Sequence, residues 1–579
     1  MHTFRELQRA ARQASSDLPS LRVALTGDCA TQMFATALCG ETALRGFRLE
    51  LFEADYDQVE RSLVDYHSDL REFAPEVVVV FQSVQAFTRY HAAMAPEEKR
   101  LAAQRRLDFW RSLCSDAWLK GTKIICLNCP ELDDGVFGSF SNGVPGSLLC
   151  QIRELNSGLA ALSREFPFFY VCDISALQSR LGQQRMFTPS IYASTELTLS
   201  LEALPYVAAR IVDIVAAQRG QFRKVLITDL DNTLWGGIIG DDGIEGIQIG
   251  HGLGIGRIFS EIQLWMKKLR ERGIVLCVVS KNDEAVAKDP FLHHPDMVLS
   301  EDDIAVFIAN WDNKADNVRR VQSILQIGFD QMVFLDDNPF ERAMVRENIE
   351  GICVPELPED PAEWLDFLAE ENLFETVSVG KADAERTAQY QAEQRRQTTA
   401  SLFTDEDAFL ASLQMKARME GFTRFNIPRV AQLTQRSNQF NLRTVRYGEA
   451  DVAAVSDAPD AEGMAFSLSD RFGDSGLVSV VILRKASEEE VFLDTWLMSC
   501  RVLKRGMEDF VMNHIVTKAK SLGAKRIIGE YLPTRKNQMV SDLLPRMGFC
   551  LTAHTDAADA YSLDIDTYVP KKVFIEEEI

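Results

Sequence analysis

The 579-residue chain is short of histidine, of basic charge and of long apolar runs, and each shortage removes a class of function. Its 62 Lys and Arg stand against 85 Asp and Glu, a formal net charge of −23, so no nucleic-acid partner is expected. Of only 8 histidines, His251 and the pair His293–His294 lack partners at metal-ligand spacing and read as structural or surface residues. No run of 18 apolar residues occurs, and the start "MHTFRELQRAARQASSD" lacks the apolar core of a signal peptide. A cytoplasmic protein without membrane contact is therefore expected. The 11 cysteines are scattered and odd in number, which suits reduced thiols better than a disulfide framework. Cys126 and Cys129 in "CLNC" are the one close pair, with no second pair to complete a zinc site.

The length predicts three domains. Residues 1–219 alternate apolar strands ("LRVALTG", "EVVVVFQ", "KIICLN") with amphipathic helices, the pattern of a parallel α/β domain. A second α/β unit over 220–375 has strands "KVLIT", "IVLCVVS" and "QMVFLD", as in a doubly wound, Rossmann-like parallel sheet. Charged helical segments over 376–415 read as a linker. Over 416–579, strands "LVSVVILRK" and "VFLDTWLMS", a helix from Gly506 to Leu522 and the strand "RIIGEYL" predict an α+β domain.

The middle domain opens on "KVLITDLDNTLWGG". Asp229 and Asp231 leave the end of a buried strand, and period-two alternation puts both on one side of an extended chain. Three further segments lie at strand ends, where such a fold gathers its ligands. "VVSKND" carries Ser280, Lys281 and Asn282, "NWDNKADNV" carries Lys314, and "FLDDNPFER" carries Asp336, Asp337 and Asn338. The set fits phosphoryl transfer to an aspartate. Asp229 is the nucleophile candidate, and Asp231 the acid that protonates the leaving oxygen and later activates water. Ser280 and Lys314 hold phosphoryl oxygens. Asp229, Asp231, Asp336 and Asp337 are the candidate ligands of Mg²⁺, whose charge relieves the repulsion between phosphate and carboxylate. Asn232, Thr233, Lys281 and Asn282 are candidate substrate-binding residues. Only 48 residues separate Asp231 from Ser280, too few for a large cap, so the site is expected to be open.

These four motifs, in this order, resemble those of the haloacid dehalogenase (HAD) superfamily. The longer string "DLDNTLWGGIIGDDGIEGIQIG" resembles the HAD-IIIC, or FkbH-like, family in particular. That resemblance implies loading of a glyceryl unit from 1,3-bisphosphoglycerate, a phosphorylated three-carbon donor, onto the phosphopantetheine arm of an acyl carrier protein. Phosphate is lost, an enzyme thiol carries the glyceryl group, and the product feeds polyketide or tetronate biosynthesis. Alternatives are a phosphatase or acyltransferase acting on a sugar or surface-polysaccharide precursor, and a non-catalytic carrier-docking scaffold.

"WLMSCRVLKRGMEDFVMNHIV" resembles the acetyl-CoA-binding core of GNAT-like acyltransferases. Arg501 and Gly506 fit its pyrophosphate loop, while Lys504 stands where the first glycine belongs. Cys500, beside Arg501 and Arg505 at a helix start, is the leading thiol candidate. Arg501, Lys504 and Arg505, and a second basic island containing Arg443 and Arg446, are expected to dock the acidic carrier protein. In the first domain "VALTGDCATQ" resembles the Gly-Asp-Ser block of SGNH hydrolases, with Cys29 in the serine position and second in rank as acyl-bearing thiol. The resemblances together imply an SGNH-like α/β domain, a capless HAD domain and a GNAT-like α+β domain.

Overall fold

A computed structural model describes residues 2–116, 121–377, 392, 396, 399, 403, 405–499, 502–555 and 557–578. It divides into two compact units, Met1–Ala216 and Ala217–Ile579. Most of the linker expected over 376–415 falls outside the described residues. No helix among them is long and apolar enough to cross a membrane.

The first unit is built on five parallel strands, β1 (Ser20–Gly27), β2 (Arg48–Glu53), β3 (Val77–Phe81), β4 (Lys123–Leu127) and β5 (Phe169–Cys172), in the order β2-β1-β3-β4-β5. Strict alternation divides its side chains between two faces. Leu21, Val23, Leu25, Val77 and Val79 pack into one core, while Ala24, Val78 and Val80 face the other. A sheet buried on both faces needs continuous apolar strands, which explains why "VVVV" carries no polar residue.

The second unit holds two sheets. Strands β6 (Val225–Thr228), β7 (Val275–Ser280), β8 (Ile304–Ala309) and β9 (Met332–Leu335) run parallel in the order β8-β7-β6-β9. The chain winds from β6 outward to β8 and then returns to place β9 on the other side of β6. The carboxyl end of β6 is therefore a topological switch point, where open α/β sheets bind ligands. Leu226, Leu276 and Val278 pack on one face, and Val225, Ile227, Val275 and Cys277 on the other. Between β6 and β7 lie only a helical turn, Ile239–Asp242, and the helix Ile255–Glu271, so no cap domain is inserted there. This is a capless HAD fold.

The remaining strands are β10 (Met415–Gly421), β11 (Ala461–Asp470), β12 (Gly473–Lys485), β13 (Glu490–Met498), β14 (Arg526–Tyr531), β15 (Cys550–His554), β16 (Asp559–Asp564) and β17 (Ile575–Glu577). They form one mixed sheet, in the order β15-β16-β14-β13-β12-β11-β10-β17. β13 and β14 pair in parallel, and the helix Met507–Ser521 connects them. This α+β arrangement is the one expected for the region.

Candidate active site

Asp229 is the first residue beyond β6 and only 6% exposed. Its backbone N–H donates to the carbonyl of Leu335 on β9 at 3.0 Å, which draws the end of that strand alongside it. Asp336 and Asp337 follow β9 directly, and one carboxylate oxygen of each comes within 4.8 Å of the others and of one from Asp229. Lys314, at the start of the helix Lys314–Leu325, lies 2.8 Å from Asp229 Oδ2 and 2.5 Å from Asp336 Oδ2. Burial pulls the Lys314 ammonium down, but the two carboxylates together outweigh it and hold the charge on. Burial, then the charge of Asp229, pushes the Asp336 and Asp337 carboxyls up.

Three carboxylates facing one ammonium leave an excess of negative charge in a desolvated site. Asp229 Oδ1 is buried and has no hydrogen-bond partner among the described residues, a costly condition for a carboxylate oxygen. The clustered hard oxygens and this orphaned atom fit a divalent cation such as Mg²⁺, held by Asp229, Asp336 and Asp337.

The Asp231 carboxylate does not join that cluster, so its expected place among the metal ligands is not met through its side chain. Its Oδ1 accepts from the indole Nε1–H of Trp235 at 3.0 Å and from the Ile239 backbone at 2.9 Å. Its Oδ2 accepts from Asn282 Nδ2 at 2.9 Å. Burial pushes its pKa up against these bonds, which favour the charged form. A carboxyl so held is suited to moving a proton.

The sequence also predicts several substrate-binding residues whose side chains prove to be engaged. Asn232, in the left-handed region at φ 52°, accepts the Gly237 N–H at 2.9 Å and closes the loop. Thr233 is buried, and its hydroxyl accepts the Asp337 N–H at 3.2 Å. Lys281 pairs with Glu341 at 2.6 Å. Ser280 ends β7 and is buried.

Two supports were not legible from the motifs alone. Trp235, fully buried, uses its ring as core and its N–H as the anchor of Asp231. Arg342 donates to the backbone carbonyls of Asp336 and Asp337 at 2.8 and 2.7 Å, clamping the loop that delivers both carboxylates. Its signal was present as the last residue of "FLDDNPFER". The tight turn also explains a glycine: a Cβ on Gly237, whose φ is +93°, would stand 2.6 Å from Asp242 Oδ2.

The other thiol and basic sites differ. Cys500 and Arg501 lie outside the described residues. Lys504 takes φ 60° and Gly506 φ 73°, so Lys504 adopts a glycine-like turn with its side chain exposed. The Glu508 carboxyl, pushed up by burial, is met by the backbone N–H groups of Glu508 and Lys504. Arg505 is buried and pairs with Asp470, which also binds Arg396 through Nε and Nη2. Arg443 pairs with Asp494 at 2.7 Å and Glu530 at 3.2 Å. Arg446 is largely buried, donates to the Ser437 carbonyl at 3.1 Å, and is drawn down to about 10 by burial. These three arginines hold the fold together, which corrects the expectation that they form a docking surface. Cys29 is 3% exposed, and burial, reinforced by Asp28, pushes its thiol well up and disfavours the thiolate.

A capless HAD sheet that gathers a strand-end aspartate, two further carboxylates and a lysine defines a phosphatase domain. Residues 22–216 match the family model of the FkbH N-terminal domain. A crystal structure of the N-terminal part of protein BF1531 from Bacteroides fragilis, containing a phosphatase domain and complexed with Mg, shares 50% identity. That match covers 65% of this chain and 100% of the other, with a TM-score of 0.64. The chain belongs to the family of that phosphatase-domain protein. The ribosomal-protein-S18-alanine N-acetyltransferase of Escherichia coli matches at 15% identity and a TM-score of 0.21, over 26% of this chain and 94% of that one. The spermidine N-acetyltransferase of Vibrio cholerae matches at 11% identity and 0.22, over 27% and 98%. Likenesses this slight do not bear on activity. No curated protein matches the chain.

Proposed function

We propose that the protein is a Mg²⁺-dependent phosphatase coupled to acyl transfer. It loads a glyceryl unit from 1,3-bisphosphoglycerate onto the phosphopantetheine arm of an acyl carrier protein, for polyketide or tetronate biosynthesis. The observation that carries the phosphatase half is the buried, unpartnered Asp229 Oδ1 amid Asp336, Asp337 and Lys314. Likeness to a phosphatase domain crystallised with Mg supports the same reading.

An oxygen of Asp229 attacks the phosphorus of the donor's phosphate ester, and the ester P–O bond breaks as the P–O bond to aspartate forms. Asp231, held by Trp235, Ile239 and Asn282, gives its proton to the leaving oxygen. Water then attacks the aspartyl phosphate, Asp231 recovers a proton, and phosphate departs. Mg²⁺ at Asp229, Asp336 and Asp337 would neutralise phosphate charge as it meets the carboxylates. Lys314 supplies a fixed cation beside the transferring group.

The second phosphate of the donor is an acyl phosphate, and a thiol attacking its carbonyl carbon expels it. One donor, one carrier thiol and one water thus give a glyceryl thioester and two phosphates. FkbH-like resemblance over residues 22–216 supports this half. Cys500 carries the group in transit; the sealed environment of Cys29 argues against it as the carrier.

The test is intact-mass analysis of a folded, pantetheinylated carrier protein incubated with enzyme, Mg²⁺ and 1,3-bisphosphoglycerate. A glyceryl adduct that Asp229→Asn and Cys500→Ala abolish, and Cys29→Ala spares, is expected. Phosphate release without an adduct overturns the acyl-transfer half alone.

A further inference from the structure

Within the second unit, the C-terminal α+β domain packs against the amino end of the sheet that carries the phosphatase site. Lys224, the residue before β6, reaches the Arg436 carbonyl with Nζ at 3.5 Å. Asp330, just ahead of β9, pairs with Lys536. Met498 and Ser499, at the end of β13, share the wall of one cavity with Lys224, Gln326 and Gln331. The phosphatase groups lie at the opposite end: Asp229 follows β6, Ser280 closes β7, and Asp336 and Asp337 follow β9. From Lys224 to Asp229, and from Gln331 to Asp336, an extended strand spans about 16 Å. Every residue of β6 and β9 is buried, so no path joins the two ends through the sheet.

That distance is long for the chemistry. Four bonds of roughly 1.5 Å join the donor's carbonyl carbon to its ester phosphorus, a reach of at most about 6 Å. One donor molecule therefore cannot meet Asp229 while a thiol at the Ser499 end holds its carbonyl. An acyl group on Cys500, the next residue in the chain, carries its phosphorus roughly 11 Å from Cα at full stretch, still short of Asp229. The arm of a carrier protein is different. About thirteen bonds separate phosphorus from sulfur in 4′-phosphopantetheine, and three bonds of an extended chain span about 3.5 Å, so the arm reaches about 15 Å. It can bring an ester to the buried Asp229 while the folded carrier stays outside, and no cap inserted between β6 and β7 blocks the approach. Tethering also holds the intermediate at an effective concentration in the millimolar range, which a released acyl phosphate does not have.

We propose that the phosphatase site acts after acyl transfer, on a phosphate monoester carried by the pantetheine arm of the carrier protein. This order rests on the glyceryl-loading reading above. The enzyme thiol attacks the donor's carbonyl carbon, the acyl C–O bond breaks, and phosphate leaves with the electron pair while the thiol proton passes to solvent. Thioester exchange then moves the phosphoglyceryl group to the arm's thiol, and the enzyme thiol is restored. At Asp229 the ester P–O bond breaks last. Water supplies the new phosphate oxygen and the proton of the freed hydroxyl, and the thioester stays intact.

Intact-mass analysis of the full chain with 1,3-bisphosphoglycerate and a pantetheinylated carrier protein tests the order. With Asp229→Asn in Mg²⁺, and with the wild-type chain in EDTA, the carrier is expected to collect a phosphoglyceryl adduct in place of the glyceryl one. The EDTA arm uses the native chain, so a folding defect in the variant cannot imitate the result. Carrier purified with that adduct is expected to lose phosphate to wild-type enzyme and Mg²⁺ while keeping a glyceryl thioester. Its kcat/KM is expected to exceed that of free 3-phosphoglycerate at least about tenfold. A carrier left bare in both arms, where wild type with Mg²⁺ loads glyceryl, puts phosphate loss first; it overturns this order and leaves the loading reading standing. An adduct that wild-type enzyme leaves phosphorylated, or releases no faster than the free ester, overturns it as well. A carrier that wild type with Mg²⁺ leaves without any adduct overturns the loading reading itself, and this order with it.

Discussion

β1 and β6 are both interior parallel strands at switch points of their sheets, and each delivers an aspartate at its carboxyl end: Asp28 after Gly27, Asp229 after Thr228. Their surroundings differ. Asp229 faces a lysine and two more carboxylates, with one oxygen left unpaired. Asp28 accepts the Ser83 N–H at 2.8 Å, is pushed up to about 6 chiefly by burial, and adjoins a sealed cysteine. Position in the fold brings a side chain to a place where chemistry is possible. Charged partners decide whether any follows.

The comparison is broken most directly by exchanging the two aspartates for asparagine. Asp229→Asn removes the nucleophile and is expected to lower Mg²⁺-dependent phosphate release at least about 1,000-fold. Asp28→Asn is expected to leave release unchanged; a comparable loss there would mean that the first unit takes part in the phosphate chemistry. Lys314→Met comes next, with release lower by about 100-fold. It also leaves two buried carboxylates without their counter-charge, so in EDTA the variant is expected to lose about 3–5 kcal/mol, partly restored by Mg²⁺. Thermal melts in EDTA and in Mg²⁺ measure this.

The sequence made the β6 end legible because each motif is a local string at a strand terminus, and the fold does no more than bring the strings together. β2 and β8 went unread for different reasons. "RLELFE" is a half-exposed edge strand whose charges hide its period, and "IAVFIA" follows an acidic turn without a chemical signature. The Asp231 carboxylate stands apart from the other three because alternation fixes the side of a strand but not where a carboxylate turns once Trp235, Ile239 and Asn282 all donate to it. The arginine islands misled for a related reason: composition counts charges, and only the folded chain shows Arg443 against Asp494 and Arg505 against Asp470.

Asp28 sharpens the comparison through stability. Its carboxyl moves from 3.8 to about 6 on folding, so between those values the folded state binds more protons than the unfolded. Stability therefore falls as pH rises through that window and stays lower above it. Asp28→Asn keeps an oxygen for the Ser83 N–H and removes the penalty. The variant is expected to match wild type near pH 4 and to exceed it above pH 6, by at most about 3 kcal/mol. Melts across that range measure it, and a gap that shrinks as pH rises would contradict burial as the cause.

The smallest effect separates a group that reacts from one that positions it. Trp235→Phe keeps a large ring in the core and removes only the N–H that holds Asp231 Oδ1, which then keeps the Ile239 N–H as its remaining donor. A hydrogen bond to a carboxylate contributes about 1.5–3 kcal/mol, and a misplaced acid loses part of the advantage of orientation. Phosphate release is expected to fall about tenfold, mainly in kcat, with little change in KM because Trp235 touches no substrate. Substrates with good leaving groups need little protonation, so p-nitrophenyl phosphate is expected to lose less than an alkyl phosphate. Equal losses on both substrates would assign Trp235 to packing alone, and Asp231 would then owe its position to Ile239 and Asn282.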